Sequence, residues 1–203
     1  MAIIVNNISQ GTTEWDNLRA GNPGASSISK IITNKGERSK QRDDYMRQLA
    51  GELITGLCEE TFKSIHMENG LLREESARSS FELIKDVEIR KVALVYKDEQ
   101  RKFHVSPDGL IGDYAGIEIK NPMMKTHVKY LLDKKLPSDY FSQLQMSLYV
   151  CELELYYFMS NFPGLPPLIL EIRRDEEFIV KLRAELDKFC LELAMTTKQL
   201  KEL

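Results

Sequence analysis

Ser106-Pro107-Asp108-Gly109-Leu110-Ile111 and, a few residues on, Gly116-Ile117-Glu118-Ile119-Lys120 decide how this chain is read. Between them Gly112-Asp113-Tyr114-Ala115-Gly116 has the composition of a turn. The flanking stretches are extended in character, so the two segments are expected to pair as a β-hairpin. Side chains alternate along a strand, which puts Glu118 and Lys120 on one face and Ile117 and Ile119 on the other. In such a pairing Asp108 comes close to Glu118. Two carboxylates aimed at one spot repel each other unless a cation or a proton sits between them. Mg²⁺ prefers carboxylate, carbonyl and water oxygens, so the pair suits a hard divalent ion. A Lys120 ammonium beside that ion could position water and stabilise hydroxide for attack on phosphorus. Taken singly, Pro-Asp-Gly is an ordinary turn and Glu-x-Lys an ordinary solvated strand face. Both together, in hairpin order, form a minimum set for metal-assisted phosphodiester hydrolysis.

Two positions outside the hairpin carry related signals. In Gly70-Leu71-Leu72-Arg73-Glu74-Glu75-Ser76-Ala77-Arg78-Ser79-Ser80-Phe81, the residues Leu71, Ala77, Phe81 and Ile84 make a helical apolar stripe with Glu74 inside it. An unpartnered carboxylate there would be costly. Glu74 either pairs with Arg78, four residues on, or works near the metal. Gln143 shares a helix face with Tyr140, Ser147 and Val150; its amide either holds a catalytic water or satisfies a backbone group.

Further outward, the chain alternates helix and strand. Trp15 and Leu18, then Ile28, Ile31 and Ile32, flank a Gly-Asn-Pro-Gly break at 21–24, which predicts two short helices with Ser26 or Ser27 capping the second. Residues 34–44 are a charged, basic-leaning loop. Helices are expected over about Tyr45–Leu57 and Met67–Ile84, then one or two strands within Val87–Tyr96 and another extended segment formed by Phe103–Val105 and Gly109–Ile111. A helix over 125–133, a second from Pro137-Ser138-Asp139 to about Cys151, strands at Leu155–Asn161 and Leu168–Arg173, and an amphipathic helix from about Asp175 to Leu203 complete the order. This is an α/β pattern with helices flanking a central mixed sheet.

Composition narrows the class. With 203 residues one domain spanning 1–203 is expected. The chain is 42% hydrophobic and 29% charged, ordinary for a globular protein and unlike disordered sequence. No apolar run reaches the roughly 20 residues that span a bilayer, and the N-terminus lacks signal-peptide features, so a cytoplasmic protein is expected. Cys58, Cys151 and Cys190 are scattered and suit neither a disulfide framework nor a zinc or iron–sulfur site. A net charge of −3 gives no global attraction to nucleic acid, so DNA contact needs local basic patches. Arg38, Lys40 and Arg42 offer one; Lys125, Lys129, Lys134 and Lys135 offer another. His104 could approach the hairpin site, while His66 and His127 have no evident partners; for all three an ordinary surface or core histidine is expected.

The ordered set Trp15…Leu18-Arg19-Ala20-Gly21…Ala25-Ser26, Gly70…Glu74…Ala77-Arg78, Ser106-Pro107-Asp108-Gly109-Leu110, Gly116-Ile117-Glu118-Ile119-Lys120-Asn121-Pro122 and Gln143-Leu144-Gln145-Met146 resembles the phage lambda exonuclease family, the YqaJ-type viral recombinases. It runs from Trp15 to about Val150, and the last third carries no assigned motif. The resemblance implies a restriction-endonuclease-like, PD-(D/E)xK core and 5′→3′ degradation of one strand of linear duplex DNA to 5′-mononucleotides, leaving a 3′ tail for homologous recombination. It also implies Mg²⁺ (two ions, replaceable by Mn²⁺), a toroidal homotrimer that threads DNA, and a single-strand annealing partner. Carried over by position, Asp108, Glu118 and the Ile119 carbonyl hold metal, Lys120 activates water with help from Glu74 and Gln143, and Arg19, Ser26 and Ser106 bind the terminal 5′-phosphate. Arg grips phosphate bidentately and hydroxyls donate to the remaining oxygens, so that pocket is chemically sound. Asn121 departs from the Cys of many relatives, outside the implied ligand set. The rival readings are a structure-selective or sequence-specific endonuclease on the same core, and a non-catalytic DNA-binding recombination scaffold.

Overall fold

A computed structural model describes residues 1–58 and 65–203, with the backbone alone over 65–72. The expectations for His66, Gly70 and Leu71 therefore lie outside the described side chains.

The elements run β1 (Ile3–Val5), α1 (Thr13–Arg19), a 3₁₀ helix (Ala25–Lys30), α2 (Arg42–Thr55), α3 (Ile65–Lys85), β2 (Leu94–Tyr96), β3 (His104–Val105), β4 (Gly109–Ile111) and β5 (Ala115–Lys120). Then come α4 (Met124–Asp133), a 3₁₀ turn (Ser138–Tyr140), α5 (Phe141–Cys151), β6 (Leu155–Ser160), β7 (Leu168–Arg173) and α6 (Glu176–Lys201). The expected mixed sheet is present in the order β4-β5-β6-β7, with β5 and β6 parallel and the outer pairs antiparallel. A parallel pair needs a long crossover, and α4 with α5 supplies it. A second antiparallel sheet, β1-β2-β3, was not expected as such.

Alternation along the central strands sorts the core into two layers. Ile117 and Ile119 of β5 join Ala77 and Phe81 of α3 on one face, with Tyr157 and Met159. On the other face Tyr156 and Phe158 join α5 residues such as Leu144 and Leu148 and the α6 stripe Phe178, Leu182, Leu186, Phe189 and Leu193. That stripe repeats at three to four residues, which is why α6 forms a single long amphipathic helix. Asp175 caps it by accepting from the Phe178 N–H at 3.0 Å. No helix among the described residues is long and apolar enough to cross a membrane.

Of the one or two strands expected within 87–96, one forms, Leu94–Tyr96; upstream, Arg90 makes an isolated bridge to Leu110. Other local expectations are corrected. The segment after Pro23 is a 3₁₀ helix whose cap is Gly24, with no side-chain cap bond, so Ser26 and Ser27 do not serve as caps. Arg42 does not belong to an exposed basic cluster. It is fully buried at the start of α2, where it pairs with Glu192 of α6 at 2.5 Å and packs over the Phe189 ring. His127 is likewise buried with partners, bonding through Nδ1 to Ser160 Oγ at 2.8 Å and through Nε2 to the Pro166 carbonyl at 3.1 Å.

Candidate active site

The expected β4–β5 hairpin forms, with Gly109 opposite Ile117 and Ile111 opposite Ala115. Extending that register by one residue sets Asp108 across from Glu118. Gly109 leaves room for Ile89 to pack against the hairpin, because a Cβ there would lie 2.1 Å from the Ile89 side chain. The Ile119 N–H donates to Asp108 Oδ2 at 2.6 Å, tying the residue before β4 to the strand opposite. Glu118 is buried, and its Oε1 accepts from Lys120 Nζ at 2.5 Å and from Gln143 Nε2 at 2.7 Å. Gln143 thus holds a carboxylate, which neither sequence-based alternative anticipated. No donor among the described residues takes the second oxygen of Asp108 or of Glu118.

Electrostatics at this point are those of an anion pair. Burial first, and then the Glu118 charge, hold the Asp108 carboxyl well above the usual carboxylate range, against the opposing pull of Lys120. For Lys120, burial pulls the pKa down, but Glu118 and Asp108 outweigh it and the ammonium is held above its ordinary value. Lys120 also sits over the Tyr140 ring at 5.3 Å.

Glu74 pairs with Arg78 at 2.6 Å, as the structural alternative predicted. The same Arg78 NH2 donates to the Asp108 carbonyl at 3.1 Å, so Glu74 is tethered to the hairpin through one buried guanidinium. Arg78 also holds Glu75 at 2.6 Å. Its second task was missed because the i,i+4 spacing explained it locally.

A cavity of about 30 Å³ reaches Glu118, lined by Arg19, Ala25, Ser26, His104, Ser106, Glu118, Gln143 and Ser147. It brings the Arg19, Ser26 and Ser106 set together with Glu118 and Gln143. Ser106 Oγ is buried there without a hydrogen-bond partner. The Arg19 guanidinium lies on the Trp15 ring at 3.8 Å. His104 lines the cavity too, close to the hairpin site as its place before Asp108 suggested. Burial, then the Arg19 charge, push its imidazole down to about 3, so the ring is neutral at ordinary pH.

The donors fit a hard cation: two carboxylates with open oxygens, and an adjacent backbone at Ile119. No group of three or more His, Cys, Asp or Glu side chains that could hold a metal occurs among the described residues. A hard ion here would complete its shell with carbonyl and water oxygens, as Mg²⁺ commonly does. Chemically, the arrangement combines an anionic cation seat, a fixed ammonium, and a pocket with guanidinium and hydroxyl donors suited to phosphate.

The family model of the YqaJ-like viral recombinase domain matches residues 14–154. The crystal structure of an alkaline exonuclease (LHK-Exo) from Laribacter hongkongensis is similar, with 28% identity, a TM-score of 0.85, and coverage of 94% of this chain and 97% of that one. The same enzyme solved in complex with dAMP gives the same figures. A phage-related exonuclease from Haemophilus somnus shares the fold at TM-score 0.71 and 14% identity, over 91% of this chain and 99% of that one. No curated protein matches the sequence. With these likenesses, the mixed sheet and its flanking helices are a restriction-endonuclease-like fold.

Proposed function

The chain belongs to the YqaJ-like viral recombinase family, and from that membership we propose a Mg²⁺-dependent 5′→3′ exodeoxyribonuclease that digests one strand of linear duplex DNA to 5′-mononucleotides and leaves a 3′ tail. At the coarser level it is a nuclease acting on DNA in recombination, by its family and its likeness to alkaline exonucleases. The observation that carries the finer reading is the single cavity shared by Glu118, Gln143, Arg19, Ser26 and Ser106, beside the Asp108–Glu118 pair. A pocket for a phosphate therefore adjoins a seat for a cation. The similar enzyme was solved in complex with dAMP, a nucleotide of the kind this reading gives as product.

Asp108, Glu118 and the Ile119 carbonyl would hold Mg²⁺. When bound, the ion supplies Lewis-acid polarisation of the scissile phosphate and lowers the pKa of water. Lys120 keeps its proton beside Glu118 and orients the attacking water while balancing charge on phosphorus. Gln143 fixes the Glu118 carboxylate by its 2.7 Å bond to Oε1, and the other oxygen would be available to hold the ion. Glu74 acts through Arg78, which holds the Asp108 carbonyl. Arg19, Ser26 and Ser106 grip the terminal 5′-phosphate and set the depth to which a strand enters.

We read residues 1–203 as one nuclease domain, in which α6 packs on α2 and α5. A homotrimeric ring and a single-strand annealing partner complete the proposal by family analogy. The test is incubation with Mg²⁺ and either linear duplex or covalently closed circles. Linear DNA should shorten from 5′-phosphate ends with release of mononucleotides, and 5′-hydroxyl ends should react more slowly. Cutting of closed circles would overturn exonuclease action in favour of an endonuclease on the same core.

A further inference from the structure

Arg19 can serve a phosphate only if the correct edge of its guanidinium faces the cavity. Three contacts fix that plane. Trp15 lies under it at 3.8 Å, and Trp15 is itself pinned by its Nε1–H to the Ala93 carbonyl at 2.9 Å. Asp16 is a marginal neighbour of NH1 at 3.9 Å. The third contact is His104, whose Nε2 accepts the Arg19 Nε–H at 3.4 Å. An arginine has no acceptor, so this nitrogen of His104 must be the unprotonated one, and its proton resides on Nδ1.

His104 is held for this contact from several sides. Its backbone bridges Gly24, and its N–H donates to the Pro23 carbonyl at 3.1 Å. A Cβ on Gly24 would lie 2.8 Å from His104 Nε2, so only glycine leaves room for the ring. Tyr96 meets the ring edge-on at 6.3 Å between centroids. The ring is 3% exposed, and its Nδ1 has no hydrogen-bond partner. A buried imidazole with one nitrogen orphaned and the other on Arg19 is oriented by packing toward the arginine, at the cost of a donor left unmade.

We propose that His104 is a positioning residue for the end-binding pocket: it takes the Arg19 Nε–H and thereby turns the NH1/NH2 edge into the cavity that Ser26 and Ser106 share. This deepens the 5′-phosphate reading given above and rests on it. The consequence is selectivity. With the Nε–H occupied, the terminal edge is preset for two parallel bonds to a phosphate; without that contact the guanidinium can rotate on Trp15 and present a single donor.

The experiment compares kcat/KM on duplexes ending in 5′-phosphate and in 5′-hydroxyl, for the wild type, His104→Phe and His104→Gln. Phe keeps a planar ring and removes the acceptor; Gln restores an acceptor on a shorter side chain. The phosphate-to-hydroxyl ratio should fall roughly tenfold in His104→Phe, mainly through KM, and recover in large part in His104→Gln. A folded His104→Phe that keeps the wild-type ratio overturns the proposal. Equal loss in both variants overturns the acceptor role. A wild type indifferent to the 5′-phosphate sinks the end-binding reading itself, which is a separate failure. If His104→Phe does not fold, ¹⁵N spectroscopy of the wild-type protein decides: His104 must carry its proton on Nδ1, and a protonated Nε2 overturns the proposal.

Discussion

At the residue scale, the site assigns distinct work to charges that look interchangeable in sequence. Lys120 is bonded to Glu118 at 2.5 Å and held protonated by two carboxylates, so its role is that of a fixed cation. Lys120→Ala should lower kcat by about 10²–10³-fold, the range for removing one preorganised charge donor. Duplex binding in a filter or anisotropy assay should persist, and undiminished degradation would refute the role. His104 gives a prediction on stability. Its pKa is about 3 in the fold and about 6.5 in an unfolded chain. Above pH ~6.5 both states are neutral; as pH falls toward 3 the unfolded state takes up the proton first, so the fold loses stability through that window. His104→Gln lacks this loss. Urea midpoints at pH 7 and pH 4.5 should show the wild type losing about 2.5 kcal/mol more than the variant, at roughly 1.4 kcal/mol per pH unit below pH ~6.5. A pH dependence shared by both proteins would show that His104 is protonated as easily in the fold as outside it.

At the element scale, what could be read from sequence was local pattern, and what could not was contact across long separations. The β4–β5 hairpin was legible because glycines bound its turn and its strands alternate. The α6 helix was legible from its repeat of apolar residues. In contrast, β1 is three residues long and owes its existence to pairing with β2, some ninety positions away. Gln143 bonding Glu118 was hidden for the same reason, since α5 is brought to β5 by the crossover. Arg42 is the sharpest case: a charge in a polar run gave no hint of a partner on α6. Its fully buried side chain meets Glu192, which is 34% exposed on its own. That asymmetry predicts unequal mutants. Glu192→Ala strands a buried guanidinium and should cost about 3 kcal/mol, or roughly 6–12 °C in Tm for a chain of this size. Arg42→Met keeps the packing against Phe189 and leaves a carboxylate that water can reach, so its loss should be clearly smaller. Thermal melts of the two variants decide it, and a larger loss in Arg42→Met would show that the guanidinium contributes through contacts other than Glu192.

At the scale of the whole molecule, the remaining question is how a chain of net charge −3 engages a polyanion. Of the two basic clusters read from sequence, the first keeps only Lys40 exposed and without an ion pair among the described residues. Arg42 is buried, and Arg38 is paired with Asp43 at 2.8 Å. The second keeps its charge available: Lys125 and Lys129 on α4, with Lys134 and Lys135 beyond its end, are exposed and make no ion pair among the described residues. The helix begins four residues after Lys120, so these ammonium groups follow directly from β5. If they meet the DNA backbone, each releases about one counterion, and the logarithm of the binding constant falls with the logarithm of salt by about 0.9 per phosphate neutralised. Replacing all four by Gln should therefore flatten the salt slope by up to about 3–4, weaken binding most at low salt, and leave the 5′-phosphate preference intact. Arg38→Gln, by the same logic, should change the slope little. Duplex titrations across 50–200 mM salt separate the two clusters, the range over which such contacts are most visible. An unchanged slope in the quadruple variant would mean that α4 faces away from the DNA path, and that the backbone is held by the pocket residues alone.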